Sequence, residues 1–477
     1  MPIHAIATGF TAAFLGDERT LREFVIGDHA LREARAQGRN AVLFFINDTY
    51  DALTERQLRV AVNKDPRLVA RFREFCGRPI AEVPDVFECH ASYADHFASA
   101  WMDRLRSIDI HPVLLDTYTA YRRGDYQEYV EHLFARYTEL LDALARQFDD
   151  YAPRQLFRVQ CPTCSCIDST EVGGVDGERV GFRCSRCGRA ETSSYKELRG
   201  KLGWKLDCAA RWNLYGIDGE AFEKAHLAPL GTVAIASFIS KFLFGGHVPD
   251  VLRYGHVRMS RACSGHLIGM MPSAAIKALF LAHPTHDVDI TPDYVEHFCR
   301  TFAIRPGLTY AEWVREELPR QALRGPGLLE NPKANATLAP ADQELLRCAH
   351  RYSSFFYKKD YRLHDPALDA LDGAEAVTMA AARDVIAMAL KLRDGGSRED
   401  SVRTEMRACL AAQPRCPGLY PFLKKLLGQC DGPHIANLLA LAPRDRMVLA
   451  CIALQQATGS AGTSNDEATP DEHREAA

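Results

Sequence analysis

Three groups of residues have the types and spacing that chemistry needs. Cys161 and Cys164 form one Cys-x-x-Cys pair and Cys184 and Cys187 a second, with a linker rich in turn formers between them. This spacing lets two knuckles converge on one tetrahedral Zn2+, its thiolates about 2.3 Å from the metal. Gly188 permits the tight turn at the second pair. Four thiolates leave no open coordination position, so such a site is structural, not catalytic. Coincidence or redox thiols are the alternatives, and Cys166 is a spare that could substitute. The second group lies in "GKLGWKLDCAARWNLYGID", residues 200–218, where Trp204 and Trp212 are interleaved with Lys201, Lys205, Asp207 and Arg211. That is too polar for plain core. An indole can wall a pocket for an aliphatic stem or face an ammonium group by cation–π attraction, and Asp207 could fix an amino group. The alternative is two core aromatics, with the segment read as a strand after the knuckles. The third group is "INDTYDAL", which puts Asp48 and Asp51 at the carboxyl end of a strand, where doubly wound folds bind ligands. A solvated loop with an Asx cap is the other reading.

The elements that must position these groups follow from periodicity. "MPIHAIATGF" reads as a short strand running into a loop. "ERTLREFVIGDHALREARAQGRN" carries Leu21, Phe24, Val25, Leu31 and Ala34 at helical spacing and closes at Gly38. "AVLFFIND" is a continuous apolar run, hence a buried parallel strand. Strand, loop, helix, buried strand is the opening of a doubly wound α/β sheet. "RSIDIHPVLLDTYTAYRRGDY" supplies another strand and an acidic turn, and "YQEYVEHLFARYTELLDALARQF" a long helix. "TVAIASFISKFLF" fits helix or strand. From about Met271 onward nearly everything reads as helical. The tail "ATGSAGTSNDEATPDEHREAA" is small, polar and acidic, which predicts disorder over residues 457–477. No internal repeat is evident.

Composition sets bounds. The 477 residues imply several domains, and 47% hydrophobic with 25% charged residues is ordinary for a globular chain. A formal net charge of −4 argues against nucleic-acid binding driven by overall charge but allows a local basic face. Fifteen cysteines, an odd number spread along a long chain, suit reduced thiols in a cytoplasm plus one metal cluster. No run approaches the roughly 18 apolar residues of a membrane span, and the first residues lack the pattern of a secretory signal. "GFTAAFLG" lacks the GK[ST] ending of a Walker A loop, and neither HExxH nor GxSxG occurs. His29 and His256 stand alone and read as satisfied surface or core residues.

"CPTC…CSRC", then "GKLGWKLDCAARWNLYGID", then "EAFEKAHLAPLGT" resembles, in order and spacing, the class I lysyl-tRNA synthetases. That family has a Cys-paired insertion, a GKLxWxxDWxARW segment, a GKDH element and a KMSKS-type loop. "YPFLKKLLGQCDGPHIANLLALAPRDRMVLA" is similar to the close of the family's helical anticodon-binding domain, and "FLGDERTLRE" stands where the family has HxGN followed by an Arg. The resemblance implies a Rossmann catalytic domain that joins lysine to ATP as an adenylate and passes it to tRNA, with Mg2+ accompanying ATP. The implied layout is a first Rossmann half over 1–150, a zinc-binding insertion over 151–200 and a second half with the KMSKS-like loop over 201–270. A helical connecting domain over 271–345 and an anticodon-binding-like domain over 346–456 follow.

By the same resemblance, Arg258, Ser260 and Arg261 are the catalytic candidates, and Phe14, Gly16, Asp17, Arg19, His226 and Met259 the nucleotide-binding ones. Asp48, Trp204 and Asp207 are the amino-acid-binding candidates. Gly16, Trp204 and Ser260 are expected to gather about one hollow at the carboxyl edge of the sheet. The departures fall where the chemistry should be. Phe14 occupies the imidazole position and Asp17 that of Asn; a phenyl ring cannot donate to a phosphate oxygen, and a carboxylate repels one. In "RMSRACSG", Arg258, Met259 and Ser260 persist, Cys263 stands near the second lysine position, and Arg261 could supply the missing cation. In "FEKAH", Ala225 replaces an Asp and Glu223 a Gly, while Lys224 and His226 persist. Losing one transition-state donor costs about 10²–10³ in rate. The chain therefore reads as a retained scaffold with an edited ATP site. A paralogue that activates or joins an amino acid in a biosynthetic pathway and a noncatalytic tRNA-binding protein are the alternatives to a charging enzyme.

Overall fold

A computed structural model describes residues 2–149, 151, 153, 155–324, 329, 338–412, 416, 418–429, 431–432 and 434–460. Contacts divide the chain into two units, residues 1–268 with 273–291, and residues 269–272 with 292 onward.

The first unit is built on a five-stranded sheet. Its strands are β1 (His4–Phe10), β2 (Ala41–Asn47), β3 (Val113–Asp116), β4 (Ile217–Glu223) and β5 (Asp250–Tyr254). All pairings are parallel and the order is β5-β4-β1-β2-β3. Unbroken apolar sequence makes β2 a strand with both faces covered, as a parallel sheet requires. Helix α1 (Leu21–Ala36) crosses from β1 to β2 and buries Leu21, Phe24, Val25 and Leu31. It lies so close to the sheet that a Cβ on Gly27 would stand 2.9 Å from the side chains of Thr8 and Leu43. Strand order reverses between β1 and β4. This is the Rossmann-type arrangement, and ligands of such folds bind outside the carboxyl ends of the strands at that reversal.

Between β3 and β4 the chain makes a small antiparallel meander, Thr170–Asp176, Arg179–Cys184 and Ala190–Ser194, while Phe157–Val159 pairs with Gly200–Leu202. Val180, Phe182 and Tyr195 of this insertion share one apolar core with Leu202, Leu206 and Trp212. Three expectations change. The indole-bearing segment is a helix, α2 (Trp204–Leu214), not a strand. Leu206, Cys208, Ala209, Ala210 and Trp212 are all buried, so the helix is covered nearly all round and shows no one-sided apolar period. "TVAIASFISKFLF" is helix α3 (Thr232–Leu243). The long helix after β3 is two, Gln127–Ala135 and Tyr137–Gln147, broken at Arg136, whose guanidinium leaves to lie 4.0 Å from the Phe242 ring.

The second unit is helical apart from the short hairpin Ala303–Arg305 and Leu308–Thr309. Helices Ala376–Asp394, Glu399–Ala411, Leu419–Leu426, Ile435–Leu441 and Arg444–Ser460 bury Val385, Ile386, Met406, Leu423 and Leu438 in a core of their own. The last helix takes in residues 457–460, which the expected disordered tail had included; residues 461–477 lie outside the described residues. Among the described residues no helix is long and apolar enough to cross a membrane.

Candidate functional site

At the reversal between β1 and β4 the carboxyl ends of four strands meet a buried cluster of ionisable side chains. Glu220 of β4 accepts hydrogen bonds on both oxygens, from Arg211 Nη2 at 2.6 Å and from the Trp212 indole N–H. The Arg211 guanidinium also lies 3.7 Å from Asp48 and 4.8 Å from the Trp204 ring. Charge and indole are packed together in α2 because one buried carboxylate needs donors of both kinds. The neighbouring layer holds Lys201 Nζ 3.0 Å from Asp51, which also accepts from Thr11 Oγ1 at 2.6 Å. Asp207 accepts from the Tyr121 hydroxyl.

Burial pushes the Asp48 carboxyl up to about 7 although Lys201 and Arg211 pull it down. Burial also opposes ionisation of Asp51, but Lys201 and Thr11 hold it below the usual range. One oxygen of Asp48, one of Asp207 and Nε and Nη1 of Arg211 have no hydrogen-bond partner. Trp204 Nε1 donates to Thr232 Oγ1 at 3.1 Å, and His226 Nδ1 lies 3.0 Å from the same oxygen, just beyond the end of β4. Burial lowers the His226 pKa, so the ring is neutral near neutral pH. It is then a hydrogen-bonding group and not a cation. Trp204 also lines a cavity of about 760 Å³ with Lys205, Tyr151 and Arg158, whose lining includes neither Gly16 nor Ser260.

The loop after β1 carries the first signature. Gly16 adopts φ +58°, and a Cβ there would stand 3.1 Å from the Phe14 ring, so only glycine fits. Phe14 packs on the apolar cluster of Leu53, Leu58, Tyr93 and Phe97. Asp17 caps the turn Glu18–Thr20 and pairs with Arg19 Nε at 2.8 Å, so this cation is already matched within the loop. The second signature follows the strand Val257–Met259, which is paired with Val288–Ile290. Arg258 pairs with Asp289 at 2.5 Å. The Ser260 N–H donates to Ile290 O at 2.9 Å, Met259 is half-buried, and Arg261 is exposed. The two loops touch through buried Glu18, which accepts from the Gly265 N–H at 2.7 Å.

The four paired cysteines converge. Cys161 and Cys187 sulfurs are 3.5 Å apart and those of Cys164 and Cys184 3.6 Å, with all four within 4.8 Å of one another. Tetrahedral thiolates around zinc would stand about 3.8 Å apart, so the set could hold that ion. Burial opposes ionisation of Cys161, but the N–H groups of Thr163 and Cys164 outweigh it and bring the thiol to about 7. Cys166 is buried outside the set, 3.6 Å from Cys164 O.

Several polar groups here escaped the sequence reading. Asp85, Cys89, His90 and His96 form a second metal-ligating set, although "DVFECHASYADH" carries its signal in an adjacent Cys-His and a further His on a helical turn. Arg104, which donates to Leu15 O at 2.6 Å and Gly16 O at 3.1 Å, reads as an ordinary helix-surface cation. Glu23 sits on the apolar face of α1, accepting from the Gly9 N–H at 2.7 Å and the Tyr254 hydroxyl at 3.1 Å.

Burial pushes the Glu23 carboxyl up to about 7, against the opposing pull of Gly9 and Tyr254. A folded-state pKa above the unfolded value stabilises the fold below about pH 4.5 and loses that contribution as pH rises through 7. Glu23→Gln keeps an acceptor for Gly9 and cannot ionise. It is expected to match the parent near pH 5 and to exceed it by on the order of 3 kcal/mol near pH 8 in urea unfolding. A gap that does not widen with pH would contradict this assignment.

A parallel sheet reversing over a polar cleft, with a four-cysteine knuckle inserted before its fourth strand, defines a doubly wound α/β protein with a ligand site at its switch point. The family model described as tRNA synthetases class I (K) matches residues 4–268, and the chain belongs to that family. Lysine–tRNA ligase 1 of Methanosarcina acetivorans is 30% identical over 265 residues, covering 54% of this chain and 47% of that protein. The lysine–tRNA ligase of Archaeoglobus fulgidus is 29% identical over 266 residues, covering 54% of this chain and 50% of that one. The chain thus spans about half the length of the curated relatives it matches. A solved glutamate tRNA ligase from Elizabethkingia meningosepticum covers 96% of this chain and 99% of its own at 10% identity, with a TM-score of 0.44, too slight a likeness to carry weight.

Proposed function

We propose that the chain activates lysine, or a closely related amino acid, with ATP and transfers it to tRNA. The observation that carries this is membership of the lysine-type class I family over residues 4–268, the stretch that forms the switch point. On this reading Gly16, Asp17, Arg19, Met259 and His226 flank ATP, with Mg2+, and Phe14 fills a donor's place with an apolar ring. Arg258, Ser260 and Arg261 serve the transferring phosphate, and Trp204 with Asp48 and Asp207 borders the amino acid. Zn2+ on Cys161, Cys164, Cys184 and Cys187 is structural, residues 151–200 are its insertion, and the protein works in the cytoplasm.

A second reading has a specific observation behind it. Arg19 and Arg258 are matched by Asp17 and Asp289, and Phe14 cannot donate, which weakens the ATP site. A repurposed paralogue that activates an amino acid for another acceptor, or one that only binds tRNA, would tolerate this. ATP–pyrophosphate exchange across all amino acids, with and without bulk tRNA, separates the readings. Lysine-dependent exchange supports the charging enzyme, exchange with another amino acid supports the paralogue, and no exchange with any removes adenylation. Phe14→His is expected to raise any exchange observed by about tenfold or more, since it restores a donor.

The helical second unit supports the tRNA part of the reading, with residues 271–345 connecting and 346–456 binding the anticodon. Tyr420, His434, Lys424, Lys425 and buried Gln429 line a cavity of about 720 Å³. Neither amide atom of Gln429 has a hydrogen-bond partner among the described residues. Cations and an aromatic edge around a free amide suit a nucleotide, whose phosphate and base they would meet together. Lys424→Ala with Lys425→Ala is expected to weaken tRNA binding and to reduce the salt slope by about 2. An unchanged slope would remove this face from the interface.

A further inference from the structure

We infer that Asp85, Cys89, His90 and His96 are a second zinc site, whose metal fixes the helix that holds the loop after β1. Cys89 Sγ lies 3.3 Å from Asp85 Oδ2, 3.1 Å from His90 Nδ1 and 3.2 Å from His96 Nδ1. The Asp85 oxygens are 3.8 Å from His90 Nδ1 and 3.5 Å from His96 Nδ1. Four ligand atoms around zinc at about 2.0–2.3 Å stand roughly 3.3–3.6 Å from one another, and these distances match. Hydrogen bonds alone do not account for the convergence. A thiol has one proton to give, yet a carboxylate oxygen and two ring nitrogens all close on the same sulfur.

The donor set selects the ion. One thiolate, two imidazoles and a carboxylate suit Zn2+ and disfavour Mg2+ or Ca2+, which take oxygen ligands. Cys89 binds as the thiolate, its proton passing to solvent, and with the Asp85 carboxylate it neutralises the divalent charge. Asp85 is held in place beforehand, accepting from the N–H groups of Phe87, Cys89 and His90 at 3.0, 2.8 and 2.8 Å. Cys89 is exposed, so an ion can enter, and four protein ligands make the site structural.

The consequence lies one helix away. Asp85, Cys89 and His90 belong to the loop before helix Tyr93–Arg106, and His96 to its first turns. The metal therefore staples that loop to that helix. From the same helix the Tyr93 hydroxyl donates to Ala13 O at 2.5 Å, Trp101 Nε1 to Phe14 O at 2.9 Å and Arg104 to Leu15 O and Gly16 O. Four consecutive carbonyls of the loop thus hang on the element that the metal anchors. The inference is independent of whether ATP is the ligand there.

The test is metal content and amide exchange on the full chain. The parent is expected to carry two zinc ions, and Cys89→Ser with His90→Ala one, the four-cysteine set being untouched. In the variant, exchange over residues 11–17 and 93–106 is expected to quicken by about tenfold or more, while residues 161–187 stay protected. One zinc in the parent, or two in the variant, would overturn the site. Loss of the ion with unchanged exchange over residues 11–17 would overturn the link to the loop. Should the double variant not fold, the parent reconstituted with Co2+ decides. A second cobalt ion with a single thiolate ligand supports the site, and one four-thiolate cobalt alone overturns it.

Discussion

Arg211→Met is expected to destabilise the first unit by about 3–5 kcal/mol, the usual cost of removing one partner from a buried ion pair. The side chain is 1% exposed and sits between Glu220 and Asp48, which are 2% and 1% exposed. Methionine would fill much of the volume but leave Glu220 with only the Trp212 indole N–H and Asp48 with Lys201 as its remaining nearby cation. Asp48, already pushed up to about 7, would take a proton, so part of the loss is recovered at lower pH. Adding Glu220→Gln to Arg211→Met should restore some stability, since no buried charge is then left facing an apolar side chain. The double-mutant cycle therefore shows strong non-additivity. Urea unfolding followed by tryptophan fluorescence is a direct readout, because Trp204 and Trp212 both touch the cluster. A single variant within about 1 kcal/mol of the parent would mean that the cluster is screened by water and is not the closed network described.

Cys184→Ser is expected to release the proposed zinc and to unfold the insertion. Structural zinc contributes about 10–16 kcal/mol of binding free energy in small zinc domains, more than a meander of three short strands can supply from its own packing. Cys184 is fully buried, and the neighbouring Cys166 is turned toward the carbonyls of Cys76 and Cys164, so no thiol stands ready to replace it. The damage should spread. Val180 and Phe182 share a core with Leu206 and Trp212, so α2 and its Arg211 lose support on one side. Metal analysis and amide exchange over residues 157–214 would report both stages. Full zinc content with parent-like exchange would show that the other three thiolates suffice.

The readings that survive from sequence are local. The two Cys-x-x-Cys pairs needed only their own spacing, because each knuckle is a turn a few residues long. β1, α1 and β2 could be read because apolar periodicity along one segment reflects what covers that segment. Helix α2 could not, because cover on nearly every side leaves no period to detect, and Lys201, Asp207 and Arg211 then look like a solvated face. Glu23 was hidden for the opposite reason. A carboxylate in a helical first turn is commonplace, and only the approach of Gly9 and Tyr254 makes this one a buried group with a pKa near 7.

What the sequence determined by itself, then, is the kind of scaffold and the identity of its thiolate ligands, along with the replacement of a donor by Phe14. Tertiary structure alone decided the partners. Asp48 meets Arg211 across 163 positions of chain, Glu18 meets Gly265 across 247, and Trp101 holds the carbonyl of Phe14 across 87. Such pairings depend on how a sheet closes and which strands become neighbours, so they arise from packing the whole unit rather than from any stretch within it.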